Sequence, residues 1–523
     1  QRRPHRMTGA ARTGARRWRL PGPTGLAAGA VFGLALLAYL RTLLPGPSFG
    51  DWAEMQFIPY QLGIPHPTGY PLYVLLGKLF SLVPIGSIAW RAELLSAVAA
   101  AASAGTAVLI AGRLGARPTL ALAAGLALAA TGTLWLEATF SEMNSLHLLL
   151  VAALIHRALV WRAERRDRDL RIGALLAGLA LSNHLLAMTV VPIILLFVLA
   201  DARQRLIDRP ALILQGVGLG LLGLTPYLFI PIRALAGPAS MYGRFLTWDG
   251  FLSLVSGADF RRDMQFASGS SLATAWRAVP DIVEQFQERS HAVFVFGGLV
   301  GGAVQLLRDR WTGLLFLAIV VANVFFYANY LGDLEHYLLV TWLIVAVWLA
   351  VAAEAVLAWL EDRLPALAAE PGPAVLALVL PIVLVGSHWE TYDQSRNHTG
   401  ERFAEAVFAE LAPNAVLISY WDTLTNLSYM HCVEGVRPDV SLRAFDPAAR
   451  IICDPVELDL EKVARERPLY ALFAIDSELN GVRETFDLLP GRQFALSYGR
   501  RTLDHSGTLY RLIPKDQAAD AGG

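Results

Sequence analysis

The sequence predicts a mainly α-helical membrane protein that crosses the bilayer many times and carries a C-terminal extracytoplasmic α/β domain. Hydrophobic residues occupy 55% of its 523 positions and charged residues only 17%, whereas an average soluble domain has about 25% charged residues. Apolar runs of spanning length recur from Thr24 to Trp389, and a composition typical of a soluble domain follows to Gly523. The formal net charge of zero argues against a nucleic-acid partner.

Residues 1–23 form a basic leader with seven arginines. Basic residues before a spanning segment are retained in the cytoplasm, so we expect a cytoplasmic N-terminus. A nucleic-acid-binding arm is the alternative. The apolar run from Leu26 to Leu44 is long enough to span a membrane, so we expect a transmembrane helix there and not a cleaved signal peptide.

A transmembrane domain is predicted over residues 24–389. A spanning helix needs about 20 mostly apolar residues. Eleven segments approach this requirement: 24–44, 90–112, 118–137, 143–161, 171–187, 189–201, 211–232, 291–307, 312–330, 336–360 and 372–389.

Arginines fall in alternate loops between these segments. The predicted cytoplasmic loops, each of which contains arginine, are 113–117, 162–170, 202–210, 308–311 and 361–371. The short outer loops near Glu142, Asn183 and Asp333 contain no lysine or arginine. This is the alternation that the positive-inside rule describes. It leaves the domain 390–523 outside the cytoplasm, and we expect the chain in the inner or plasma membrane.

Two outer loops, 45–89 and 234–290, and the C-terminal domain are large enough to carry function. In the first loop, the amphipathic stretch from Pro71 to Val83 predicts a helix lying in the membrane interface. In the domain 390–523, residues 402–411 have helical periodicity. Four segments there are typical of strands: 415–419, 440–444, 469–473 and 507–512. Cys432 and Cys453 both lie in this domain, and either one disulfide or two thiols are consistent with the sequence.

The first outer loop carries two carboxylates three residues apart, Asp51 and Glu54. On a helix this spacing places both on one face, where a carboxylate can accept the proton of an attacking hydroxyl group as a general base. The same spacing before an apolar run is typical of a capping box, with Asp51 as the N-cap and Glu54 at the third helical position. Spacing alone leaves both interpretations open.

Further polar residues cluster at the outer ends of four helices. Ionisable groups near membrane depth are functional candidates, although they also serve as polar contacts between helices. His66 in the first loop is either a phosphate or metal ligand or a hydrogen-bonded loop residue. The remaining candidates are Glu137, Glu142, Asn144, Asn183, His184, Asp333, Glu335 and His336. The last three offer ligands for a divalent metal, but their spacing matches no metal-binding motif.

Basic residues near the outer membrane surface form a second group of candidates. Arg233 ends the seventh predicted helix, where a guanidinium can bind a phosphate through two hydrogen bonds. Lys78 is a similar candidate in the first loop. Both residues are equally consistent with side chains that snorkel to the membrane surface.

Six sets of residues match, in order, the motifs of one known family. The first outer loop reads Asp51-Trp52-Ala53-Glu54 and then His66-Pro67-Thr68-Gly69-Tyr70-Pro71. The other stretches are Ser141–Leu146, Gly178–Leu185, Phe229–Ala234, Asn329–Asp333 and Val433–Val440. Together they resemble the protein O-mannosyltransferase-like transmembrane family, of the transmembrane protein 260 type, over most of the chain. The sequence departs from the family at Trp52-Ala53 and just after Glu142.

This resemblance implies a GT-C glycosyltransferase, which takes its sugar from a polyprenyl-phosphate carrier. It implies transfer of mannose or a related hexose to a hydroxyl acceptor on a protein or glycan, with inversion at the anomeric carbon. Asp51 would be the base and Glu54 would position the acceptor. The substrate-binding residues would be His66, Tyr70, Lys78, Glu142, Asn183, His184, Arg233, Asp333, Glu335 and His336. No cofactor is certain, and a divalent metal stays open.

Two other functions fit a chain with many spans. One is a secondary transporter, and the other is a non-catalytic membrane scaffold with an outer binding domain. Transporters usually have inverted repeats and a site near the bilayer midplane, whereas the polar residues here gather at outer helix ends. In a scaffold, Asp51 and Glu54 would serve only as helix caps.

Overall fold

A computed structural model describes residues 22–243, 247–264, 280, 284, 289–330, 335–365, 372–445, 459–473, 480–494 and 507–518. The first twelve helices are α1 Pro23–Thr42, α2 Gly50–Gln61, α3 Pro71–Ser81, α4 Ile88–Arg113, α5 Pro118–Ala129, α6 Gly132–Thr139, α7 Asn144–Glu164, α8 Asp167–Asn183, α9 Val191–Asp208, α10 Ala211–Leu224, α11 Phe229–Leu235 and α12 Trp248–Val255. Five more complete the helical part: α13 Ala292–Arg308, α14 Arg310–Ala328, α15 Leu339–Arg363, α16 Gly372–Ala377 and α17 Val379–Tyr392.

The chain is a multi-pass membrane protein. Within the described residues, eight helical segments are long and apolar enough to cross a bilayer, and a ninth forms if α5 and α6, bent by 63°, make one span. All eleven predicted spans coincide with helices, but α8 and α13 have only 17 residues each. The count of eleven, the orientation of the termini and the domain boundaries therefore stay predictions.

Small residues allow the helices at the centre of the bundle to approach closely. Helix α4 is buried through most of its length and contacts α1, α5 and α7. At Gly105, an added Cβ would lie 2.9 Å from the carbonyl oxygen of Ala28 on α1, so only glycine permits this crossing. The hydroxyl group of Tyr39 donates to the carbonyl oxygen of Ala129, 2.7 Å away, and so satisfies its polarity within the core.

The C-terminal part of the chain forms a five-stranded mixed sheet with helices. Its strands are β1 Val416–Ser419, β2 Ser441–Ala444, β3 Leu469–Phe473, β4 Phe486–Phe494 and β5 Gly507–Pro514. The strand order is β2-β1-β3-β5-β4, parallel across the first three and antiparallel across the rest. The helices are α18 Thr399–Glu410, α19 Trp421–Cys432, α20 Leu460–Glu466, α21 Asn480–Thr485 and α22 Lys515–Ala518. The four predicted strands and the predicted helix are confirmed, and the predicted α/β class with them.

Strand β4 was not predicted from the sequence. Pro490 and Gly491 interrupt its pattern, and the pairing with β5 shifts register between Pro490 and Gln493. A proline lacks the N–H group that a continuous ladder needs, so it is accommodated at an irregularity of this kind. Cys432 is in a disulfide, whereas Cys453 lies outside the described residues.

The sheet domain packs directly on the first outer loop. Phe49 and Phe403 meet edge to face with ring centroids 5.4 Å apart. The side-chain amide of Asn426 donates to the carbonyl oxygen of Ser48 at 2.7 Å. At Gly400, an added Cβ would lie 1.9 Å from the carbonyl oxygen of Pro47. The domain and the loop thus share one hydrophobic core, which fixes helix α19 against helix α2.

Candidate active site

Helix α2 begins at the paired carboxylates but does not use them as caps. Its N-cap is Phe49, and no side chain caps the first turn, so the capping-box interpretation of Asp51 and Glu54 is wrong. Gly50 has φ +58°, and an added Cβ would lie 2.8 Å from Asp422 Oδ1. Glycine therefore lets the chain turn into α2 against the sheet domain.

Glu54 is fully buried and engages His66 through both of its oxygens. The backbone N–H of His66 donates to Glu54 Oε1 at 2.9 Å, and the ring Nδ1 of His66 contacts Glu54 Oε2. The other ring nitrogen of His66, Nε2, lies 3.1 Å from the hydroxyl group of Tyr70 and 3.7 Å from Asp51 Oδ2. His66 therefore lies between the two carboxylates. Glu54 binds His66 and does not cap the helix, because a hydrogen bond between charged groups is stronger than one to a backbone N–H.

The charges of this group are interdependent. Burial disfavours the charged ring of His66, but the carboxylates of Asp51, Glu54 and Glu142 outweigh burial and raise the pKa of His66 to about 9. Burial raises the pKa of Glu54, against the opposing effect of His66. Burial, followed by the charge of Asp51, raises the pKa of Glu142 to about 8. The positive charge of the His66 ring thus offsets part of the negative charge of the three neighbouring carboxylates.

Asp51 is the exposed member of the group. Its side chain is 46% exposed, and its Oδ1 accepts a hydrogen bond from the indole Nε1 of Trp421 at 2.6 Å. Trp421 comes from α19 of the sheet domain, and its ring lies 5.7 Å from that of Tyr242 and 6.1 Å from that of His66. Sequence reasoning missed Trp421, because nothing local links it to a residue 370 positions away.

Glu142 joins the site through a second indole. Trp52 Nε1 donates to Glu142 Oε2 at 3.1 Å, and the Trp52 ring stacks on Phe140 with centroids 4.1 Å apart. The hydroxyl group of Ser96 bonds both the backbone N–H and the carbonyl oxygen of Glu142 at 3.1 Å. The departure from the family at Trp52 therefore has a structural counterpart, since the indole orients a buried carboxylate.

Histidine and tyrosine rings extend the site away from Asp51. The ring of Tyr70 lies 5.4 Å from that of His184, which in turn lies 5.6 Å from that of His147. His184 Nδ1 accepts the backbone N–H of Leu186, and Asn183 donates to the carbonyl oxygen of Met143 at 3.1 Å. His147 was not predicted, because it lies inside an apolar run in which one histidine gives no periodic signal.

The predicted polar residues 333–336, before α15, are only partly described. His336 Nδ1 lies 3.7 Å from Glu137 Oε1, which is buried. Asp333 and the side chain of Glu335 lie outside the described residues. The buried side chain of Asn144 lies at the start of α7, two residues beyond Glu142.

Lys78 and Arg233 lie at the opposite end of α2 from Asp51. Lys78 Nζ donates to the carbonyl oxygen of Tyr60 at 2.6 Å, and Arg233 Nε donates to that of Leu62 at 2.8 Å. Nine residues of helix separate Asp51 from Tyr60, or about 14 Å at 1.5 Å per residue. The two cations thus satisfy the last carbonyl groups of α2 and are not brought to Asp51.

Among the residues that the structure describes, two groups have the chemistry of a divalent-metal site. In each, the potential ligand atoms lie within 4.8 Å of one another: Asp51, Glu54 and His66, and Glu137, Glu142 and His336. In the first group Glu54 directs both oxygens at His66, and in the second Trp52 donates to Glu142 Oε2. The second group shares only His336 with the residues 333–336 that the sequence offered as possible metal ligands.

Comparison with known proteins identifies relatives and a fold. The family model described as the protein O-mannosyl-transferase TMEM260 N-terminal domain matches residues 51–207. Protein O-mannosyl-transferase TMEM260 of Mus musculus is 27% identical over 467 residues, which are 84% of this chain and 65% of the mouse protein. The Dictyostelium discoideum protein of the same name is 21% identical over 458 residues, which are 78% of this chain and 56% of that protein. The chain thus spans less than two thirds of the length of these relatives.

The fold matches a solved membrane protein over nearly its whole length. ArnT from Cupriavidus metallidurans, in a crystal structure bound to undecaprenyl phosphate, superposes with a TM-score of 0.57 at 13% identity, covering 93% of this chain and 97% of that one. The apo structure of ArnT gives 0.59 at 14% identity with the same coverage. An identity this low bears on the fold alone. The resemblance found in the sequence is confirmed by these comparisons: the chain is similar in sequence to the TMEM260-type protein O-mannosyl-transferases and in fold to ArnT.

Proposed function

We propose that this chain is a membrane glycosyltransferase that moves a sugar from a polyprenyl-phosphate carrier to a hydroxyl acceptor. The observation that carries the proposal is the half-exposed carboxylate of Asp51, held by the Trp421 indole and facing His66 at the end of a helix bundle. The names of the relatives support mannose and a protein acceptor. The ArnT complex with undecaprenyl phosphate supports a lipid-linked donor.

In this proposal Asp51 is the general base. A hydroxyl group is a weak nucleophile, so a carboxylate must accept its proton as the oxygen attacks the anomeric carbon. Asp51 is the carboxylate with an exposed edge, whereas Glu54 and Glu142 are buried. Glu54 cannot reach an acceptor from its buried position. We therefore infer that Glu54 holds His66 in place and does not position the acceptor.

The leaving group is the phosphate of the carrier lipid, which departs as an anion and needs no general acid. Attack from the face opposite the phosphate inverts the anomeric carbon. Hydrogen-bond donors near the departing phosphate lower the barrier. His184 and His336 lie on the side of the site that leads into the bundle, so they are better placed for this role than Lys78 and Arg233. Because His184 Nδ1 accepts the N–H of Leu186, its Nε2–H is the donor that it can offer.

The proposal includes an orientation. The candidate site and the sheet domain lie at one end of the bundle, and the arginine-rich helix ends of α7, α8 and α9 lie at the other. By the positive-inside rule, the arginine-rich end is cytoplasmic. The reaction then takes place on the outer face of the inner or plasma membrane, and the sheet domain borders the acceptor.

Replacement of Asp51 with Asn tests the proposal. Membranes that contain the full chain are incubated with radiolabelled polyprenyl-phosphate mannose, and label in protein and glycan is counted. Asp51→Asn should abolish transfer while the chain accumulates normally. The matched control is Asp249→Asn, in the exposed first turn of α12, which should transfer as the unaltered chain does. Substantial transfer by Asp51→Asn would exclude Asp51 as the base, and no label from the unaltered chain would favour a transporter or a scaffold.

A further inference from the structure

A cavity of about 540 Å³ lies between α7, α8, α9 and α10. Its walls are almost wholly apolar side chains and glycines, and the charged residues among them are the ion pair of Arg157 and Asp169. The volume falls within the range of small-ligand pockets, roughly 300–1,000 Å³. An apolar cavity offers water no hydrogen-bond partners, so an apolar chain is its natural occupant.

Glycines explain how the cavity forms. Helices α8 and α10 touch at Gly178, where an added Cβ would lie 2.1 Å from the carbonyl oxygen of Gly220. Towards the arginine-rich end the two helices diverge, and a Cβ added to Gly216 would meet only the Cβ of Ala174, at 4.0 Å. Leu195 on α9 and Val217 on α10 line the cavity and are more than half exposed. The cavity is therefore accessible from the surface that faces lipid.

The mouth of the cavity is basic. Residues 157–209 contain nine arginines and five acidic residues, an excess of four positive charges. Asp167 is held between two guanidinium groups, with Arg205 Nε 2.9 Å from Oδ1 and Arg209 Nη1 2.8 Å from Oδ2. A guanidinium has five N–H donors, and the side chain of Arg209 is 55% exposed. Donors therefore remain for an anionic group at the membrane surface.

We propose that this cavity is a binding site for an anionic glycerophospholipid. One acyl chain fills the apolar space between α8, α9 and α10, and the phosphate of the headgroup lies against Arg205 and Arg209. The site is distinct from that of the proposed sugar donor, because α8 separates Asp167 from Asn183 by about 24 Å. The inference stands on the cavity and its arginines and does not depend on the proposed glycosyl transfer.

The test measures lipid that stays with the purified full chain. The protein is incubated in detergent with phosphatidylglycerol or phosphatidylcholine of the same acyl chains, and bound lipid is counted by native mass spectrometry. The unaltered chain should retain one phosphatidylglycerol in preference to phosphatidylcholine. Gly216→Leu should lose it, because the new side chain fills the cavity. The matched control is Gly218→Leu on the same helix, where an added Cβ meets nothing within 4 Å and which should retain the lipid.

A second pair of variants tests the headgroup contact independently of the cavity. Arg209→Gln should lower the preference for phosphatidylglycerol about ten-fold, the effect of one charge-assisted hydrogen bond, whereas Arg203→Gln, at an exposed position six residues earlier on α9, should not. Retention of lipid by Gly216→Leu equal to that of Gly218→Leu would overturn the proposal. So would equal retention of the two lipids by the unaltered chain, or displacement of phosphatidylglycerol by an equimolar amount of polyprenyl phosphate.

Discussion

The indole Nε1 of Trp421 donates a hydrogen bond of 2.6 Å to Asp51 Oδ1, and this bond joins the sheet domain to the candidate base. The other oxygen of Asp51, Oδ2, faces His66 Nε2 at 3.7 Å. A carboxylate fixed on both sides presents its remaining lone pairs in one direction, which is what the capture of a proton from an attacking hydroxyl group requires. The sheet domain therefore contributes to the geometry of the site as well as to its surroundings.

Replacement of Trp421 with Phe should lower kcat about 10- to 100-fold, because a hydrogen bond to a charged group contributes about 1.5–3 kcal/mol. The KM for the lipid-linked donor should stay unchanged, since Trp421 positions Asp51 and has no donor contact in this scheme. Initial rates over a range of donor concentrations separate the two parameters. Trp248→Phe, at an exposed indole on α12, is the matched control. A rise in KM with unaltered kcat would mean that Trp421 binds substrate and does not position the base.

Stability should fall with rising pH because of Glu142. Its pKa is raised from 4.5 to about 8, chiefly by burial, so the folded chain binds a proton at Glu142 that the unfolded chain releases. The fall should therefore extend from about pH 4.5 to about pH 8, with a slope of at most about 1.4 kcal/mol per pH unit. Glu142→Gln should keep the Trp52 hydrogen bond and lose this part of the slope. Thermal unfolding in detergent across this range measures it, and parallel curves for the two proteins would contradict the prediction.

The contact between the sheet domain and the first outer loop should depend on Gly400. An added methyl group would lie 1.9 Å from the carbonyl oxygen of Pro47, and relief of such overpacking typically costs about 1–3 kcal/mol. We expect Gly400→Ala to lower the midpoint of thermal unfolding and to expose the sheet domain to limited proteolysis. Gly386→Ala, where an added Cβ meets nothing within 4 Å, should leave both measurements unchanged. Equal behaviour of the two variants would mean that the interface is not rigid.

Local composition and periodicity were enough to predict most of the elements. Each predicted span coincides with a helix because hydropathy is a property of a short segment, and the four predicted strands follow from runs of five or six residues rich in strand-favouring side chains. The strand with Pro490 at its centre was missed because the same residue is typical of a turn. The type of most elements is thus encoded locally. Strand β4 is an exception, because it forms by pairing with the neighbouring strand β5.

The site itself could be predicted only in part. Asp51, Glu54 and His66 were found because they lie within 16 residues of one another in one loop. The spacing of Asp51 and Glu54 could not distinguish a capping box from a functional pair, because the distinction depends on which residue Glu54 contacts in the folded chain. Trp421 lies 370 positions from Asp51, and such a contact arises only from the docking of the sheet domain. Contacts of this kind are set by tertiary packing and not by local pattern.

Arg233 provides the sharpest contrast between the sequence prediction and the structure. The resemblance implies a phosphate ligand, whereas the structure places Arg233 at the end of α2 opposite Asp51, where its Nε donates to the carbonyl oxygen of Leu62. Arg233→Gln should therefore leave the KM for the lipid-linked donor unchanged and lower stability by about 0.5–1.5 kcal/mol, the typical net contribution of one hydrogen bond. Lys78→Gln, which removes the neighbouring bond to Tyr60, should behave in the same way. A large rise in KM for Arg233→Gln alone would restore it as a phosphate ligand and would require α2 to end differently when the donor is bound.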